Sequence, residues 1–163
     1  MAKKFIILDT ETTGLEVRQG HKIIEIGAVV LNDRKKSSDH FHAYINPGRL
    51  IDEEASKVHG ITNQDLEDEP MFAAIADDFI EFIQGSTLII HNAPFDVGFL
   101  NSELKAVSAK YPKLEDICEI EDSLVIARSK FPGQRNSLDA LANRFEVSGY
   151  DRSFHGALLD ANI

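Results

Sequence analysis

Apolar residues form short runs in the first third of the chain and follow a helical spacing further on. Runs rich in β-branched and aromatic residues, separated by polar or glycine-containing turns, predict strands. Three such runs follow one another closely, at residues 5–8, 23–31 and 41–46, and two more lie at 87–90 and 117–120. Because short polar turns join the first three, we expect these strands to form an antiparallel meander.

From Phe72 to Ile83 the apolar residues recur every three or four positions, which predicts an amphipathic helix ended by Gly85. Further helices are predicted from four starting positions: Pro94, Leu124, Ser137 and Gly156. Strands first and helices later predict an α/β fold with helices packed on the sheet. The length of 163 residues suits a single domain, which we place at residues 1–163.

Composition narrows the class of protein. Hydrophobic residues at 43% and charged residues at 27% are ordinary for a soluble globular domain. The single cysteine, Cys118, excludes an internal disulfide framework and fits a reducing compartment. The apolar run from Phe5 to Leu8 is too short for a signal peptide or a membrane span. We therefore expect a cytoplasmic protein with no membrane partner.

The net charge of −10 argues against a sequence-independent binder of nucleic acid, which needs cations to neutralise phosphates. Much of the excess is local, because ten acidic residues but only one basic residue, Lys57, lie between Asp52 and Glu81. Divalent metal ions held by carboxylates would supply positive charge where the phosphates need it.

Two carboxylates, Asp9 and Glu11, follow the first apolar run. Side chains alternate between the faces of a strand, so this pair points the same way and repels itself unless a cation or a shared proton intervenes. The next residues, 12–14, supply hydroxyls, backbone N–H groups and a glycine that allows close approach of a ligand. Taken alone, the pair fits a solvated strand end followed by a turn better than a metal site.

Three further residues could join this pair. Asp96 falls in the first turn of a predicted helix, where it can bind a metal or simply complement the helix dipole. His155 and Asp160 would lie about 140° apart on one continuous helix, so they can act together only if His155 belongs to the preceding loop. A loop histidine beside metal-bound carboxylates is well placed to deprotonate water, although a surface histidine and a helix-face aspartate also fit this segment.

These four carboxylates and one histidine form a set suited to Mg²⁺ or Mn²⁺, which prefer oxygen ligands and often act in pairs on phosphates. The sequence contains no cysteine and histidine cluster with zinc spacing, no G-x-x-x-x-G-K-[ST] loop and no G-x-S-x-G elbow. The residues that a zinc centre, a P-loop or an α/β-hydrolase site needs are therefore absent from the sequence.

Three ordered motifs, at residues 9–14, 91–96 and 155–160, resemble those of the DEDDh (DnaQ-like) 3′→5′ exonuclease family. Within that family, the segments 20–29, 58–61, 131–133 and 135–141 resemble proofreading subunits of bacterial DNA polymerase III. The resemblance covers essentially the whole chain. It implies an RNase H-like fold, with a central mixed sheet flanked by helices, and a 3′→5′ exodeoxyribonuclease that releases nucleoside 5′-monophosphates.

The resemblance also implies roles for individual residues. Two divalent cations would be held by four ligands, Asp9, Glu11, Asp96 and Asp160, with His155 as the general base. The terminal nucleotide would be contacted by Glu11, Thr12, Glu54, His59 and Asp160. For Glu54 and His59 the surrounding sequence by itself indicates only surface polar residues. Phe95 is expected to pack in the core first and to shape a base pocket second.

Partners are implied in the same way: DNA 3′ ends and, in a full-length protein, the polymerase III catalytic subunit and the sliding clamp. We expect residues 1–163 to lack the C-terminal segment that tethers such subunits, and the turn at 15–19 to be shorter than usual. Two alternatives remain open, an RNA-trimming enzyme with the same chemistry and a non-catalytic polymerase subunit.

Overall fold

The computed structural model describes residues 4–32, 35–130 and 132. It contains five strands: β1 (Lys4–Thr12), β2 (Ile23–Asn32), β3 (Lys35–Tyr44), β4 (Thr87–Ile90) and β5 (Glu119–Asp122). They form one sheet in the order β3-β2-β1-β4-β5. The first three pair antiparallel, whereas β4 runs parallel to β1 and β5 parallel to β4. The prediction of a mixed sheet that starts with three antiparallel strands is confirmed.

Five helices flank this sheet within the described residues: α1 (Glu53–His59), α2 (Phe72–Ile83), α3 (Ala93–Val107), α4 (Leu114–Ile117) and α5 (Ser123–Lys130). The predicted helices at 72–83, after Pro94 and from Leu124 are confirmed. Helix α1 was not predicted, because its seven residues are mostly acidic or polar and show little apolar periodicity. The helices predicted from Ser137 and Gly156 lie outside the described residues.

Strand β1 is longer than the predicted run of 5–8, because it continues through the acidic residues to Thr12. Antiparallel pairing with β2 extends over its whole length, and backbone hydrogen bonds do not require apolar side chains. On one face of β1, Ile6 and Leu8 join Phe79 of α2 and Phe99 of α3 in a buried apolar cluster. The strand that carries the acidic pair is therefore anchored in the core.

Two further strands with misplaced boundaries, β3 and β5, lie at the outer positions of the described sheet. The third strand was predicted at 41–46, but β3 starts at Lys35 and ends at Tyr44; the fifth was predicted at 117–120, but β5 covers Glu119–Asp122. Outer strands need little apolar sequence because one side of the ladder faces away from the sheet. Ile117, read as strand, ends the short helix α4 instead.

None of the helices in residues 4–32 and 35–130 is long and apolar enough to cross a membrane.

Candidate active site at the carboxyl ends of the central strands

A cavity of about 650 Å³ opens where β1 and β4 end. The ladder between β1 and β4 runs from Phe5 to Ile7, and β1 then continues to Thr12 while β4 ends and the chain turns into α3. Because parallel strands end at the same edge of a sheet, this topology brings the residues that follow each of them together.

Asp9 and Glu11 both line the cavity and are half-buried, whereas Thr10 and Thr12 between and after them are buried. This alternation is the one expected for a strand, so the two carboxylates share a face as predicted. The register of β1 against β2 shifts between Glu11 and Thr12. Such irregularities redirect side chains at the end of a strand and are common beside active sites.

Asp96 reaches the same place from the first turn of α3. Its carboxylate is buried, with 3% of the residue exposed, and accepts a hydrogen bond from the hydroxyl of Thr10. The pKa of Asp96 is raised to about 7: burial is the largest cause and the negative charge of Asp122 also raises it, whereas the hydrogen bond from Thr10 lowers it. The third predicted acid thus contacts the strand residue that lies between the other two.

Asp122, at the end of β5, holds the start of α3. Its carboxylate accepts hydrogen bonds from the backbone N–H groups of Asn92 at 2.9 Å and Ala93 at 3.0 Å, and also from that of Leu124 at 2.9 Å. Asn92 has a left-handed backbone with φ of 67°. Sequence reasoning missed Asp122, because β5, the strand that it ends, is short and mostly acidic and so lacks the apolar run that identified Asp9.

Residues 12–14 contact helix α1 through His59. The Nε2 atom of His59 lies 3.2 Å from the carbonyl oxygen of Thr12, and the N–H of Ile61 donates to Nδ1 at 3.0 Å. The hydroxyl of Thr12 donates to the carbonyl of Gly14 at 2.6 Å. His59 is buried, so reading it as a surface residue from its sequence context was wrong; Glu54 on the same helix is exposed, as that reading expected.

Phe95 also lines the cavity. It is half-buried and packs against Phe99 with ring centroids 4.9 Å apart, which fits the expectation that it serves the core first.

Glu25, on β2, is a buried acid with a structural partner. Its carboxylate oxygen lies 2.6 Å from Nε2 of His42, a hydrogen-bond distance, which fits a structural role for a buried acid in a strand.

The described part of the cavity wall is strongly acidic. No lysine or arginine lines it. Six carboxyl side chains do: Asp9, Glu11, Glu16, Asp52, Glu54 and Asp96. Oxygen donors of this kind fit Mg²⁺ or Mn²⁺ better than softer metals. Within residues 4–32 and 35–130, no group of three or more acidic, histidine or cysteine side chains could hold a metal ion by itself. The predicted fourth ligand, Asp160, and the predicted base, His155, lie outside the described residues.

Comparison with known proteins agrees with this geometry. Residues 6–163 match the exonuclease family RNase_T. Over 162 residues the chain is 50% identical to DNA polymerase III subunit epsilon of Escherichia coli. The match covers 97% of this chain and 67% of the Escherichia coli protein. Over 158 residues it is 54% identical to the subunit of the same name from Rickettsia typhi, at 97% and 69% coverage.

A solved structure of exonuclease X in complex with 5′ overhanging duplex DNA has the same fold. It superposes with a TM-score of 0.73 at 27% sequence identity, and the match covers 96% of this chain and 84% of that one. The predicted RNase H-like exonuclease fold and the predicted enzyme class, a proofreading 3′→5′ exonuclease, are confirmed by these matches. Membership of the family also implies dependence on divalent metal ions. The chain belongs to the RNase_T family of exonucleases.

Proposed function

We propose that this exonuclease removes nucleotides from DNA 3′ ends with two divalent cations, Mg²⁺ or Mn²⁺, held by Asp9, Glu11, Asp96 and Asp160. One observation carries the proposal: Asp9, Glu11 and Asp96, from two separate elements, line a cavity whose described wall contains no lysine or arginine. Carboxylates and DNA phosphates repel one another, so both can occupy this cavity only if cations lie between them.

When bound, the two ions would lower the pKa of the attacking water and stabilise the charge that develops on the leaving 3′ oxygen. The chain's own residues position those ligands. Thr10 orients the carboxylate of Asp96 through its hydroxyl, and Asp122 holds the backbone at the start of α3. In this proposal His155 takes a proton from the water, the role that a histidine side chain can fill as a general base.

The terminal nucleotide would lie between the end of β1 and helix α1. Thr12 and Glu54 line that part of the cavity, and so does His59, although both ring nitrogens of His59 already contact backbone groups. We assign contacts with the nucleotide to these three residues together with Glu11 and Asp160. The assignment predicts that substitutions of Thr12, Glu54 and His59, which are not proposed metal ligands, raise KM more than they lower kcat.

Proofreading follows from the physics of DNA ends. A mismatched 3′ terminus unpairs more readily than a matched one, so it enters a single-strand site more often. The curated relatives named DNA polymerase III subunit epsilon suggest the partner. We propose that the protein works in the cytoplasm with the catalytic subunit of a replicative polymerase and, when full-length, with the sliding clamp.

The test is digestion of 5′-labelled DNA with paired or mispaired 3′ ends, in Mg²⁺ or Mn²⁺ and then with a chelator. We expect stepwise shortening from the 3′ end that requires metal and is faster at the mispaired end. Asp9→Ala and His155→Ala should each lower the rate at least about a hundredfold. His40→Ala, an exposed histidine on β3 outside the cavity, is the matched control and should leave the rate unchanged.

An RNA oligomer of the same sequence separates the alternatives. Faster shortening of RNA than of DNA would replace proofreading with RNA trimming. No shortening of either, together with binding to a polymerase subunit, would indicate a non-catalytic subunit. Full activity of His155→Ala would refute the assignment of the base.

A further inference from the structure

His21 connects two parts of the cavity wall that come from different elements. Its ring is buried, with 6% of the residue exposed. Nδ1 lies 2.9 Å from the hydroxyl of Thr13, in the turn after β1, and Nε2 lies 3.3 Å from a carboxylate oxygen of Asp52, just before α1. The backbone N–H of Asp52 also donates to the carbonyl oxygen of Thr13, at 2.9 Å. The turn and the helix are therefore joined by a side chain and by the main chain.

The hydrogen bonds around Thr13 set the orientation of the His21 ring. The N–H of Lys22 donates to the Thr13 hydroxyl oxygen at 3.0 Å, and the N–H of Thr13 donates to the carbonyl of Lys22 at 2.8 Å. The hydroxyl hydrogen of Thr13 can then be donated to Nδ1 of His21. This favours the tautomer with its proton on Nε2, facing Asp52.

The ring also explains the glycine at position 14. A Cβ atom at Gly14 would lie 2.4 Å from both Cε1 and Nε2 of His21, far inside van der Waals contact. The His21 ring therefore occupies the space that a side chain at position 14 would need. In turn, the ring can lie beneath the turn only because position 14 is glycine.

We propose that His21 is a positioning residue that holds the turn 12–14 against α1. Thr12 and Glu54 line the cavity from these two segments, which are joined through contacts of His59, Asp52 and His21. The proposal rests on the proposed function and deepens it, because it assigns affinity for the 3′-terminal nucleotide to the rigidity of this junction.

His21 is not a second general base. Its two ring nitrogens are engaged by the hydroxyl of Thr13 and the carboxylate of Asp52, so neither nitrogen is available to take a proton from a water or a substrate in the observed arrangement. Its effect on the reaction is transmitted by the turn. Loss of the ring should loosen substrate binding while the metal ligands Asp9, Glu11 and Asp96 keep their positions.

The first experiment measures kcat and KM on short single-stranded DNA for His21→Ala and Asp52→Ala. We expect His21→Ala to raise KM about tenfold with kcat within about threefold, and Asp52→Ala to raise KM about threefold. Asp52 is exposed, so its variant will fold even if His21→Ala is unstable. Phe79→Leu, a core substitution outside the cavity, controls for lost stability and should leave KM unchanged.

The second experiment is a double-mutant cycle between Gly14 and His21. Gly14→Ala alone should lower kcat/KM at least tenfold through the clash, about the same as or more than His21→Ala. The double variant should be no worse than His21→Ala alone, because removal of the ring makes room for the new methyl group. Strictly additive effects, or an unchanged KM in both His21→Ala and Asp52→Ala, would overturn the proposal.

Failure of this inference is distinguishable from failure of the proposed function. Unchanged KM values in a wild-type chain that digests DNA would refute only the positioning role. A wild-type chain with no metal-dependent nuclease activity would refute the function itself.

Discussion

The hydroxyl of Thr10 donates a hydrogen bond to the carboxylate of Asp96, across 86 positions of sequence. This contact joins the strand that carries Asp9 and Glu11 to the helix that carries the third acid. A hydroxyl that donates to a carboxylate stabilises its ionised form, which is the form that binds a metal. Thr10 therefore positions the carboxylate of Asp96, which we propose as a metal ligand, without being one of the proposed ligands itself.

Thr10→Val should lower activity about tenfold, because a buried charge loses its donor. It should also raise the pKa of Asp96, so the metal concentration needed for half-maximal activity should increase most below pH 8. The measurement is a metal titration of the nuclease rate at several pH values. Thr10→Ser keeps the hydroxyl and should behave like the wild type; equal losses in the valine and serine variants would contradict this explanation.

Asp96→Asn should abolish activity yet stabilise the metal-free fold at pH 8. The folded chain holds the Asp96 proton up to about pH 7, whereas an unperturbed carboxyl group loses it near 3.8. The contribution of this group to stability is therefore full below pH 3.8 and is lost as pH rises to about 7. At pH 8 the wild type keeps a buried ionised carboxylate that the variant lacks.

We expect the gain in the free energy of unfolding to be on the order of a few kcal/mol at pH 8 and smaller at pH 5. Thermal melts in the presence of a chelator measure it. Asp78→Asn, an exposed acid on α2, makes the same charge change and should leave both melting temperatures nearly unchanged. A gain of the same size at both pH values would argue against a raised pKa as the cause.

Mn²⁺ should raise the melting temperature of the wild type, because a ligand that binds only the folded state stabilises it. At a concentration about a hundredfold above the Kd the gain is about 2.7 kcal/mol. Asp9→Asn should remove most of this gain, and a chelator should reverse it. The chain has no tryptophan, so circular dichroism is the appropriate probe. A gain that Asp9→Asn leaves intact would place the ion elsewhere.

Asp122→Asn should lower kcat/KM about tenfold, because the amide keeps only one oxygen to accept the N–H groups of Asn92 and Ala93. It should also lower the pKa of Asp96, since the charge of Asp122 raises it. The pH dependence of metal activation should therefore shift opposite to that of Thr10→Val. Asp116→Asn, exposed on α4, is the control. If Asp122→Asn and Thr10→Val shifted the pH dependence of metal activation in the same direction, the assigned electrostatics would be contradicted.

The local sequence pattern was sufficient to predict the elements whose side chains are buried on one face. The apolar spacing of α2 and the β-branched run of β2 each identify their element, because burial on one side imposes the period of the element on the sequence. The same reasoning placed Asp9 and Glu11 on one face, which the alternation of burial along β1 confirms.

The sequence pattern failed to predict the elements that are stabilised mainly by backbone pairing or by tertiary contacts. The outer strands β3 and β5 are polar and were misplaced by several residues. Helix α1 went unnoticed because its ordering comes from distant partners, with His59 buried against Thr12 and Asp52 bonded to Thr13. A seven-residue helix is marginal without such contacts.

For the candidate site, the order and chemistry of the acidic motifs were sufficient to predict that Asp9, Glu11 and Asp96 lie at one cavity, and their roles as metal ligands stay predictions. Their neighbours could be seen only in the fold. Asp122 and His21 carry no distinctive motif, and both act through backbone groups or residues brought close by the chain's path. Contacts of this kind depend on three-dimensional proximity, which single-sequence spacing does not encode.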